Sequence, residues 1–141
     1  MRTMKRSLYL ALGTNMGDRA SNMETALALL EERFGPRSGM SEVIETEAVG
    51  FDGPPFLNCI AVFLCSDSPS EVLAACKAIE KRMGRNDSPE YAADGSRIYH
   101  DRVMDIDILM YGDICVDTPE LTIPHPQIES RSYIKELLLN L

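Results

Sequence analysis

Nine consecutive residues, Phe56-Leu-Asn-Cys-Ile-Ala-Val-Phe-Leu64, contain a single polar side chain. A run this apolar, preceded by the turn-rich Phe51-Asp-Gly-Pro-Pro55, reads as a strongly buried strand. It is far too short to cross a membrane. Asn58 is the interruption. A buried amide left unpaired costs roughly 1–3 kcal/mol. Asn58 therefore either bonds a neighbouring loop backbone or reads the donors and acceptors of a planar ligand.

The rest of the chain supplies partners for this strand. Ser7 to Leu12 is a short apolar strand that leads into Gly13-Thr-Asn-Met-Gly-Asp18, read as a glycine-containing turn. Gly13-x-x-x-Gly17 is not a Walker A loop, because no Gly-Lys-Ser/Thr follows. A helix begins at about Ser21 or Asn22, with Glu24 in its first turn. Met23, Ala26, Leu27, Leu30 and Phe34 form its inner stripe, and Gly35-Pro36 stops it. Ser38 to Glu47 reads as one strand. Ser68 caps a second helix, with Pro69 at its first position. Val72, Leu73, Cys76, Ile79 and Met83 face inward. Lys77, Glu80, Lys81 and Arg82 make the outer or end face, and Gly84 ends the helix.

From Arg85 to His100 the apolar periodicity disappears, and a loop this long in a compact domain is disordered or functional. It reads as a mobile active-site loop. Arg102 to Tyr111 is another strand, Ile114 to Val116 a short hairpin return, and Gln127 to Leu139 a final helix. The order implies an α+β, ferredoxin-like βαββαβ antiparallel sheet with helices on one face, plus a short extra hairpin strand and a C-terminal helix. Residues 1–141 read as one domain.

Composition narrows the function. The net charge is -8, so the surface as a whole does not favour nucleic acid. An anionic ligand needs metal ions or a local basic cluster, for which Arg82, Arg85, Arg97, Arg102 and Arg131 are candidates. Cys59, Cys65 and Cys76 sit among apolar residues and read as small core side chains. No C-x-x-C pair supports structural zinc. With no signal peptide or membrane-length run visible, a cytoplasmic location is expected.

Period two sends Asp105 and Asp107 to the same side of their strand. Two carboxylates this close repel unless a cation or protons lie between them. They are either solvated acids that guard a sheet edge or oxygen ligands for magnesium, which takes one or two carboxylates and fills its shell with water and phosphate. His125 lies between Pro124 and Pro126, on a stiff extended loop.

Four motifs in order resemble the bacterial 6-hydroxymethyl-7,8-dihydropterin pyrophosphokinases of folate biosynthesis. They are Leu10-Ala-Leu-Gly-Thr-Asn-Met-Gly-Asp-Arg19; Glu45-Thr-Glu-Ala-Val-Gly50 with Phe56-Leu-Asn58; Asp105-Ile-Asp-Ile-Leu109 with Tyr111-Gly112; and Leu121-Thr-Ile-Pro-His-Pro126 with Arg131. The resemblance implies transfer of pyrophosphate from ATP to the hydroxymethyl pterin, releasing AMP. It implies that Asp105 and Asp107 hold two magnesium ions. Asn58 would read the pterin edge, with backbone near Thr46 and Val49, and Phe56 and Tyr133 would stack on its faces. Arg85, Arg102, His125 and Arg131 would contact phosphates. Arg97 and Lys77 would join the nucleotide contacts, with Thr122 and the Ile108 backbone beside the nucleotide. A monomer acting on two small molecules, without nucleic acid or membrane, is expected. The chain departs from the family at Tyr99-His-Asp-Arg102, where many members have Trp-Gly-Pro-Arg, and at Glu47, where proline is common. A non-catalytic ligand-binding module and a kinase that transfers one phosphate are the competing readings.

Overall fold

A computed structural model describes residues 5–47, 53–84, 90–91, 93, 97–98 and 103–141, with backbone alone at 90–91 and 97–98. The apolar run forms β4 (Phe56–Cys65) inside a five-stranded sheet. On one side β4 pairs with β1 (Arg6–Thr14), which pairs in turn with β7 (Asp105–Tyr111). On the other it pairs with β2 (Arg37–Met40) and β3 (Ile44–Thr46). Every pairing in this sheet is antiparallel. Helix α1 (Arg19–Phe34) lies between β1 and β2 in the chain, and α2 (Pro69–Arg82) between β4 and β7. Each helix thus connects strands that sit one strand apart, and the expected α+β architecture is present.

Alternation sorts the side chains. Leu8, Leu10 and Leu12 of β1 and Cys59, Ala61 and Phe63 of β4 meet the inner stripes of α1 and α2 in the main core. Burial pushes the Cys59 and Cys76 thiols up to about 12, so they act as the small apolar side chains expected of them. On β7, Ile108 and Tyr111 both join this core although their odd spacing should oppose them. A bulge reconciles them. Tyr9 pairs with Met110 and Leu10 with Ile108, which leaves Leu109 as the extra residue. Leu109 packs in a second cluster with Ile60, Ile134 and Leu137. The last two belong to α4 (Ser132–Leu139), which therefore covers the face opposite α1 and α2.

Several boundaries differ from expectation. Asp18, not Ser21 or Asn22, caps α1 by accepting from the Ser21 amide, and no acid lies in the first turn. Ser38–Glu47 is two strands. Between them the Ser41 amide donates to the Ile60 carbonyl and its hydroxyl accepts from the Ile60 amide, both at 2.8 Å, so a side chain replaces a ladder carbonyl. The short strand β8 (Val116–Asp117) pairs with β9 (Thr122–Ile123), and is no return strand on β7. The final helix is broken: α3 (Gln127–Ser130) ends at Arg131, whose extended backbone (φ -123°, ψ 108°) precedes α4. Most of Arg85–His100, including its expected mobility, lies outside the described residues, but the backbones of β5 (Glu90–Tyr91) and β6 (Arg97–Ile98) pair within it. Among the described residues no helix is long and apolar enough to cross a membrane.

Candidate active site

Cross-strand register builds the floor of the site. Asn58 of β4 lies opposite Gly13 of β1, and Gly13 lies opposite Asp105 of β7. The next row on that face is Ile60, Ala11 and Asp107. Directly opposed residues share a face, and Ile60 and Ala11 belong to the cluster under α4. Asp105 and Asp107 therefore leave the sheet on the α4 side together with Asn58 and, two residues earlier, Phe56. Gly13 was expected in a turn and is instead a strand residue. A Cβ there would come within 3.0 Å of Asn58 Oδ1 and 3.5 Å of the Phe56 ring. Its absence leaves a bare strip of backbone between the amide and the acid.

Asn58 is buried, and its Nδ2 donates to Thr46 Oγ1 at 2.6 Å. The partner is thus a side chain on β3, not a loop backbone. This bond orients the amide with Oδ1 toward Gly13. The approach to Phe56 is pinned to the start of α1. Asn15 Nδ2 donates to the Pro54 carbonyl at 3.0 Å, and Arg19 Nη1 reaches the Pro55 carbonyl and Glu45 Oε2, each at 2.9 Å. Tyr133 packs in the cluster with Ile60, and its hydroxyl is 3.2 Å from Arg131 Nη1. Val49 lies outside the described residues.

β7 ends the strand order, and a pocket of about 170 Å³ opens along it. Lys77 and Glu80 line it from α2, Asp105 to Ile108 from β7, and Glu120, Thr122 and His125 from around β9. Lys77, Asp105, Asp107, Ile108, Thr122 and His125, all singled out in the sequence, thus meet at one place. Arg131 is not among the lining residues. Arg82 faces a groove between α1 and α2 with Leu29, Glu32 and Arg33, so it does not belong to the expected basic cluster. Arg85, Arg102 and the Arg97 side chain lie outside the described residues.

Two contributors were missed. Glu80, expected on the outer face, is 2% exposed, and its Oε2 accepts the Ile106 amide at 2.7 Å. Its position four residues after Cys76 places it on the inner stripe, a signal its charge obscured. Gln127 Nε2 donates to Asp107 Oδ2 at 2.8 Å, and nothing in the local sequence announces that contact.

Burial holds the His125 pKa below its ordinary value, with the Arg131 charge acting in the same direction and Asp105 opposing. Nδ1 accepts the Gln127 amide at 3.1 Å, so the neutral ring carries its proton on Nε2 as a donor. Four carboxylates (Glu80, Asp105, Asp107, Glu120) line the pocket against Lys77, and of these Asp105 and Asp107, on one side of β7, are oxygen donors of the kind that suit a hard cation. Among the described residues no group of three or more His, Cys, Asp or Glu converges on one point. A cation on Asp105 and Asp107 would thus complete its shell with water and phosphate oxygens, as magnesium commonly does.

Residues 9–141 match the family 7,8-dihydro-6-hydroxymethylpterin-pyrophosphokinase (HPPK). The chain belongs to this family. The HPPK match agrees with similarity to curated proteins over most of this chain. A 2-amino-4-hydroxy-6-hydroxymethyldihydropteridine pyrophosphokinase of Porphyromonas gingivalis is 38% identical over 130 residues, covering 91% of this chain and 85% of that protein. One of the same name from Aquifex aeolicus is 36% identical over 136 residues, 96% of this chain and 79% of that one. The mitochondrial folate synthesis bifunctional protein of Pisum sativum is 35% identical over 142 residues, 100% of this chain but 26% of the pea protein. The matching segment is thus one part of a much longer polypeptide in pea.

Proposed function

We propose that this HPPK-family chain transfers the terminal two phosphates of ATP, as one pyrophosphoryl unit, to the hydroxymethyl group of 6-hydroxymethyl-7,8-dihydropterin. The products are AMP and the pterin diphosphate, an intermediate of folate biosynthesis. Family membership supports the reaction. The observation that carries the site is the position of Asp105 and Asp107, shared between the face that bears Asn58 and the edge pocket that holds Lys77, Thr122 and His125.

In this reading the pterin lies on the bare strip at Gly13. Asn58, oriented by Thr46, offers Oδ1 to a ring N–H, and Phe56 and Tyr133 stack on the bicycle. Backbone near Thr46 and Val49 completes the pterin contacts. ATP occupies the edge pocket beside Thr122 and the Ile108 backbone. Neutral His125 donates from Nε2, and Lys77, Arg131, Arg85, Arg97 and Arg102 bring positive charge to the phosphates. Asp105 and Asp107 hold two magnesium ions. When bound, those ions neutralise the triphosphate and polarise the transferring group. The side chains act by positioning and charge stabilisation, with no covalent intermediate on the protein. The strand order and the two helix crossovers support a ferredoxin-like βαββαβ sheet. Residues 1–141 form one pyrophosphokinase domain, monomeric and cytoplasmic.

The test is incubation with ATP, magnesium and 6-hydroxymethyl-7,8-dihydropterin, with the nucleotide product identified by chromatography. AMP is expected. ADP would indicate transfer of a single phosphate, and pterin binding without turnover would indicate a non-catalytic module. Asp105→Ala and Asp107→Ala are each expected to abolish turnover while leaving the fold intact. Parental activity in either variant would overturn the metal assignment.

A further inference from the structure

We infer that Glu80 is a positioning residue, tying α2 to the edge of β7 so that Lys77 and the Asp105–Asp107 pair stay opposed across the pocket. This rests on the reading of that pocket as the nucleotide site. Glutamate is almost never fully buried unless paired, yet Glu80 is 2% exposed. Its Oε2 accepts the Ile106 amide at 2.7 Å, a length typical of charge-assisted bonds. Ile106 stands between the two aspartates, on the strand that ends the sheet. The carboxylate thus holds the backbone that aims both acids.

Glu80 adds a fourth carboxylate to a pocket already lined by Asp105, Asp107 and Glu120, and like charges at close range disfavour one another. Its backbone bond does what an apolar residue cannot: it sets the register of a helix against a strand. Lys77 is three residues before Glu80 on the same helical face, and both line the pocket. Fixing Glu80 on Ile106 therefore also fixes where the Lys77 stem leaves α2 relative to the acid pair.

The test compares Glu80→Gln, which keeps a side-chain oxygen acceptor, with Glu80→Met, which removes it at similar length. Amide hydrogen exchange at Ile106, pterin affinity, kcat and KM are measured below the melting temperature. In Glu80→Met, faster Ile106 exchange and a kcat reduced about 10–100-fold are expected, with pterin affinity unchanged. Glu80→Gln is expected to restore slow exchange and a kcat near the parent's. Parental kcat in Glu80→Met, or joint loss of kcat and pterin affinity, would overturn the inference. So would a Glu80→Gln enzyme whose kcat is itself reduced about 10-fold or more, and this outcome decides the matter even where Glu80→Met fails to fold. If the parent makes no AMP, the proposed function fails, while Ile106 exchange still judges the Glu80 tie separately.

Discussion

Gly13 lies between Asn58 and Asp105, and its missing side chain is what leaves room there. Gly13→Ala would bring a methyl group within 3.0 Å of Asn58 Oδ1, and Asn58 cannot swing away freely because its Nδ2 is bonded to Thr46. Pterin affinity is expected to fall about tenfold, equivalent to about 1.4 kcal/mol, with melting little changed; calorimetric titration measures it. His125 supports a pH prediction. Its folded pKa lies below the ordinary 6.5, so near that pH the unfolded chain binds a proton that the folded protein rejects. The stability this contributes is complete above 6.5 and lost as pH falls. In metal-free buffer, melting temperature is expected to drop more steeply on acidification in the parent than in His125→Gln; parallel slopes would refute this. The pairing of Asp105 with Asp107 was legible from period two alone. Glu80 was not read correctly, because a charge argues for solvent until its backbone partner is known.

α2 was the most legible element. Ser68 caps it by accepting from the Glu71 amide, Glu71 reciprocates on the Ser68 amide, and Pro69 opens it. All three signals lie within four residues, so chain neighbours settle them. β2 and β3 show the opposite case. Their break depends on Ser41 bonding Ile60, nineteen positions away. Ser41→Ala would leave the buried Ile60 amide without that acceptor, and a loss of about 1–3 kcal/mol is expected in urea unfolding. An unchanged midpoint would show that β2 and β3 need no such clasp. Arg131 likewise breaks an otherwise helical pattern, and the extended turn there lets α4 bring Ile134 and Leu137 onto Ile60 and Leu109.

Among the described residues two hydrophobic layers lie one on each side of the sheet, and α4 closes the smaller. Leu137 is 1% exposed there. Leu137→Ala is expected to cost about 2–5 kcal/mol and, because Asn58 and the acids share that face, to weaken pterin binding as well. Thermal melting and pterin titration check both parts. What the order of residues settled alone was local or repetitive: the buried 56–64 strand, the capped second helix, two acids on one side of a strand, and the motifs that mark the family. Folding in three dimensions settled everything that joins distant positions. Gly13 meets Asn58 and Asp105 through strand register, Glu80 meets Ile106 across a helix–strand contact, and Gln127 meets Asp107 from a separate helix. The physical reason is range. Periodicity and capping are decided within a few residues, whereas a hydrogen bond between chain-distant groups exists only once the core has packed them together.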